Sequence, residues 1–190
     1  MRYLTEAKRR ENKGAPEDLR FTAESLGIAT RYHYFDYFCD RDHTKLETVT
    51  ETIGALDSVV RLSEKEANPA IKHWVLRQSL TNYFTLQLML EDARQIRHSH
   101  SEDRIRENLS TLRTVLGDSV RGKRPEDDPY AHLVCNIATA IWEPDAQVRE
   151  KAKERAFEAV SIVNSWHTPY DEERMNMLRR VIPARRRQTP

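Results

Sequence analysis

Residues 68–97 read NPAIKHWVLRQSLTNYFTLQLMLEDARQIR, and this stretch decides the fold class. Asn68 carries a side-chain oxygen suited to the free N–H groups of a helix's first turn. Pro69 fits that turn because its missing N–H would have no intrahelical partner there. No charged residue occurs between Arg77 and Glu91. Leu80, Tyr83, Phe84, Leu86, Leu88, Met89 and Leu90 point nearly all round a helical wheel. A helix apolar on every side has to be enclosed by others. The spacing therefore predicts a buried central helix over about residues 69–97. Its uncharged run is shorter than the roughly 20 residues of a membrane span, so no membrane partner is expected.

Outward from this helix the punctuation is helical too. Pro16 stands at a first helical position in APEDLRFTAESLG, and Gly27 reads as a stop. Thr44 with Glu47 resembles a capping box, followed by the stripe Leu46, Val49, Ile53, Leu56 and Val60. After a serine-rich start the stripe Ile105, Leu109, Leu112, Leu116 and Val120 marks another helix. Asp128-Pro129 opens the next, and Glu143-Pro144 closes it and opens a helix faced by Ala152, Ala156, Ala159 and Val163. Thr168-Pro169 begins a last one that Pro183 ends.

With only 5 glycines in 190 residues, turns that need left-handed backbone are scarce, which disfavours an all-β fold. The expectation is an all-α, single multi-helix domain of about seven or eight helices at 16–182, packed round the central one. It is flanked by a basic N-terminal segment at 1–15 and a basic C-terminal tail at 183–190.

Charge is segregated along the chain. Residues 1–22 carry six Lys/Arg against four Asp/Glu, and residues 169–190 six against three. The whole chain has 31 basic and 30 acidic residues, so the remainder holds 19 against 23 and is acidic. Basic ends of this kind contact nucleic acid or acidic surfaces. The candidate contacts are Lys8, Arg9, Arg10 and Lys13 at one end, and Arg179, Arg180, Arg185, Arg186 and Arg187 at the other. Their expected partners are RNA or DNA, or an acidic protein. The wide apolar faces leave room for a homo-oligomer.

The stretch RYHYFDYFCDRDH, residues 31–43, gathers five aromatics, two histidines, three aspartates and a cysteine. At 100° per residue Ile28, Tyr32, Phe35 and Cys39 share one face, read here as core. His33, Asp36, Asp40 and His43 share an adjoining face at metal-ligand spacings. His33 and His43 are roughly 15 Å apart along a helix axis, so only a subset can meet one ion. Help would have to come from another helix, where His98, His100 and His132 are candidates. A second arrangement pairs Cys39 with His43 and His132 with Cys135. These spacings match no finger or ribbon pattern. The ordinary reading is an aromatic core stripe with small buried thiols and a solvated His/Asp edge, and no cofactor is expected. Base stacking beside Arg31 or Arg41 is opposed by Asp36, Asp40 and Asp42, which repel phosphate.

One segment suggests catalysis. In EDARQIRHSHSEDR, Arg94 precedes His100 with five residues between them. This resembles the Arg-x(4–6)-His signature of the HEPN ribonucleases, a helical and usually dimeric family. The resemblance implies RNA cleavage near a helix end at a dimer interface. Only this short segment carries it, and Gln95 stands where the family often has another polar residue. The alternative is a helix C-terminus whose cations meet the last carbonyls.

There is no glycine-rich phosphate loop, H-E-x-x-H, G-x-S-x-G or C-x-x-C. Two distant cysteines make no disulfide framework, and the N-terminus lacks an apolar signal core. The expected setting is the cytoplasm or another reducing compartment. The leading expectation is a non-enzymatic helical binding or assembly protein. The HEPN-like ribonuclease and a metal-binding bundle stand as alternatives.

Overall fold

A computed structural model describes residues 16–36, 46–93, 101–117, 128–163 and 176–181. The fold is all-α, and no strand occurs among the described residues. The helices are α1 (Pro16–Phe35), α2 (Leu46–Ser63), α3 (Pro69–Asp92), α4 (Glu102–Val115), α5 (Pro129–Trp142) and α6 (Ala146–Val163). A short helix α7 follows at 176–181. The segments 1–15 and 183–190 lie outside the described residues.

α3 starts as its sequence dictates. Asn68 has extended backbone, and its side-chain oxygen accepts from the N–H groups of Ala70 at 3.0 Å and Ile71 at 3.4 Å. From Leu80 to Leu90 only Asn82 escapes full burial. α3 packs against α1, α2, α4 and α5. Tyr83 and Phe84 meet edge to face at 5.0 Å, and Phe84 leans on Trp142 of α5 at 5.9 Å. Burying each such side chain contributes about 1.5–3 kcal/mol, so a helix apolar on several sides is stable only in contact with several neighbours. The hydroxyls of Thr85 and Tyr130 pair at 2.7 Å and tie α3 to α5. The helix ends at Asp92, and the rest of the span expected to 97 lies outside the described residues.

The stripes of α2 and α4 face the core. Val49, Ile53, Leu56 and Val60 are buried on α2, as are Ile105, Leu109, Leu112 and Leu116 at α4. Ser101 caps α4 by accepting from Arg104 N–H. At its other end Gly117 adopts φ 73° and donates to the Thr114 carbonyl at 3.0 Å. A side chain at that left-handed position would clash with its own backbone, so glycine closes the helix.

α5 and α6 form a hairpin hinged at Glu143-Pro144-Asp145. Asp145 caps α6 by accepting from Gln147 N–H at 2.7 Å and Val148 N–H at 3.2 Å. Small buried residues, Ala131 and Ala138 on α5 with Ala152, Ala156 and Ala159 on α6, suit close packing of the two helices.

α1 departs from expectation twice. It runs through Gly27 instead of stopping there. A Cβ on Gly27 would come within 3.2 Å of Asn82 Nδ2 and 3.4 Å of Gln78 Nε2 on α3. The glycine thus serves close approach between helices, which offsets its cost of about 1 kcal/mol within a helix. The core face is also not the one expected. Ala23, Leu26 and Thr30 are buried, whereas Ile28 is 54% and Tyr32 66% exposed. The core of α1 is made of smaller residues that let it lie close to α2 and α3, with Arg20 over the Trp74 ring at 5.0 Å.

Candidate functional site

The charged centre of the described fold is a side chain that the helical stripes concealed. Asp57 on α2 is 2% exposed. Its Oδ1 accepts from Arg104 Nε at 2.8 Å and Asn108 Nδ2 at 2.9 Å, both on α4. Its Oδ2 accepts from Arg61, Nε at 3.0 Å and Nη2 at 2.8 Å. Burial alone would raise its pKa. The hydrogen bonds from Asn108, Arg104 and Arg61 outweigh that and hold the carboxyl below its ordinary 3.8. Beneath it the Tyr83 hydroxyl, close to Gln87 and Asn108, is pushed up by burial. A carboxylate so low in proton affinity and so fully engaged makes a poor general base. It makes a good latch between α2 and α4.

Sequence reasoning missed this latch, although a signal was present. Asp57 lies four residues after Ile53 and three before Val60, so it belongs to the buried stripe. Asn108 likewise sits three residues after Ile105 and four before Leu112. A carboxylate and an amide on apolar stripes need partners from elsewhere in the fold.

The metal candidates are partly described. His33 Nε2 lies 2.8 Å from Thr52 Oγ1, which is also 2.9 Å from the Thr48 carbonyl. His33 Nε2 is thus engaged with the Thr52 hydroxyl inside the fold. Asp36 is half-buried, while Cys39, Asp40 and His43 lie outside the described residues. His132 and Cys135 are both buried on α5. Among the described residues no three His, Cys, Asp or Glu side chains come together as an ion would require. Arg94, His98 and His100 fall between α3 and α4, outside the described residues.

Of the nine basic candidates, Arg179 and Arg180 are described, both on α7, while Lys8, Arg9, Arg10, Lys13, Arg185, Arg186 and Arg187 are not. Arg180 grips Asp92, at the end of α3, with both prongs of its guanidinium. Nε reaches Oδ1 at 2.9 Å and Nη2 reaches Oδ2 at 2.7 Å. With buried Met177 and Leu178 this seats α7 on the body. Arg179 is exposed and donates to Asn176 Oδ1 at 2.9 Å. Both arginines thus have partners, a carboxylate for Arg180 and an amide oxygen for Arg179. No described helix is long and apolar enough to cross a membrane. Compared with family models, curated proteins and solved structures, the chain matches none.

Proposed function

We propose that the protein is a non-enzymatic helical binding protein whose basic ends engage single-stranded nucleic acid. The observation that carries this reading is the segregation of charge along the chain, with net positive charge at residues 1–22 and 169–190 and an acidic remainder. Among the described residues of the remainder, Arg61 meets Asp57, Arg104 meets Asp57 and Glu107, Arg106 meets Glu102, Arg113 meets Glu143, and Lys153 meets Glu150. Cations already neutralised at short range release few counterions from a polyanion. The surplus positive charge lies at residues 1–22 and 169–190. Phosphate contacts of this kind hold a strand without reading its sequence.

The test is a titration of a fluorescein-labelled oligothymidine with the full chain at low and at physiological salt. Binding that weakens steeply with salt and varies little with base composition supports the reading. Binding absent at every salt concentration removes nucleic acid and leaves an acidic protein as the partner.

A further inference from the structure

α1 carries a second apolar face. At 100° per residue, Phe21, Ile28 and Tyr32 fall within an arc of about 40°, opposite the buried Ala23, Leu26 and Thr30. They are 47%, 54% and 66% exposed. Ser25 lies about 20° beyond the Tyr32 edge of that arc. The spacing 21, 25, 28, 32 alternates four and three residues, the seam of a coiled coil.

We infer that α1 pairs antiparallel with α1 of a second copy of this chain, about a two-fold axis near Leu26 and Gly27. The register is self-complementary. Phe21 meets the partner's Tyr32, and Ser25 meets the partner's Ile28, so a large residue faces a large one and a small residue leaves room for a branched one. The charges beside the seam agree. Glu24 and Arg31 are both exposed, one residue before Ser25 and Tyr32 respectively. In the antiparallel register Glu24 stands beside the partner's Arg31, and the symmetry repeats the pair. A parallel register sets Glu24 beside the partner's Ala29 and matches no charge. Glu24 also has Arg20 at 3.4 Å on its own helix, an exposed and weak pair that does not compel it to stay. The pairing does not depend on the ligand of the basic ends.

The three side chains offer roughly 300 Å² of apolar surface per copy, against about 800 Å² per partner in a standard interface. The dimer is therefore a weak one, seen only at high protein concentration.

Sedimentation velocity of the full chain, from about 1 to about 200 µM, should show monomer passing to dimer. Ile28→Glu and Tyr32→Asp should each raise the dissociation constant at least about tenfold, with circular dichroism and melting unchanged because both sites face solvent. Glu24→Arg alone and Arg31→Glu alone should each weaken the dimer about threefold or more, and the double exchange should restore it. A chain that stays monomeric over the whole range overturns the proposal and leaves this face for a different protein. Charge reversals without effect, or a double exchange that fails to restore the dimer, overturn the antiparallel register.

Discussion

Asp57 and Arg104 stand 47 residues apart in the chain and meet at 2.8 Å, Oδ1 to Nε, joining α2 to α4. The Arg104 side chain is 15% exposed, so water cannot replace the carboxylate cheaply. Arg61 is mostly exposed and adds less. Asp57→Ala should destabilise the fold by about 2 kcal/mol, because Arg104 keeps only the exposed Glu107 and the buried Asn108 amide loses its acceptor. The urea midpoint should fall with an unchanged slope.

The same carboxylate makes a pH prediction. Its native pKa lies below 3.8, so the unfolded chain takes up the proton first as pH falls. The contribution is complete above about pH 5 and is lost as pH falls through 3.8 toward the lower native value. The stability gap between the wild type and Asp57→Asn should be full at neutral pH and narrow near pH 3. Urea denaturation across that range checks it, and a gap that widens on acidification would reverse the sign.

Two helical glycines should respond in opposite ways. Nothing lies within 4 Å of a Cβ at Gly54 on α2, so Gly54→Ala should stabilise by about 0.5–1 kcal/mol through helix propensity. Gly27 faces Asn82 and Gln78 across α1 and α3. Gly27→Leu should therefore destabilise by about 2 kcal/mol through overpacking. Thermal melts of both variants distinguish a packing glycine from a tolerated one.

Asp92 controls whether Arg180 is available. Asp92→Asn should weaken the grip on α7 by about 1 kcal/mol, a modest figure because Arg180 is half exposed. If the basic end binds single strands, the freed guanidinium should add one phosphate contact. The log–log salt slope would then steepen by about 0.7.

Much of the fold was legible because caps and stripes are local. Asn68-Pro69, Asp128-Pro129 and Glu143-Pro144 mark real helix boundaries. The stripes of α2 and α4 are buried where they are described. α1 misled for a physical reason. It has two apolar faces, and the face with the larger side chains, Ile28 and Tyr32, is the exposed one. Residue size favoured the wrong face, because the helix needs small residues to approach α3 at Gly27. The grip of Arg180 on Asp92 spans 88 residues and leaves no periodic trace, so sequence alone counted Arg180 as an available cation.

The most direct test of the account is the salt dependence of single-strand binding by the full chain and by a chain lacking residues 184–190. With Arg180 held by Asp92, the C-terminal cations are Arg179, Arg185, Arg186 and Arg187. Four phosphate contacts give a slope of about −3, and the N-terminal Lys8, Arg9, Arg10 and Lys13 would steepen it further if they engage the same strand. The deletion removes three arginines and should make the slope shallower by about 2, with the melting temperature unchanged. An unchanged slope after deletion, or no salt-sensitive binding by the full chain, would contradict the claim that the basic ends hold nucleic acid.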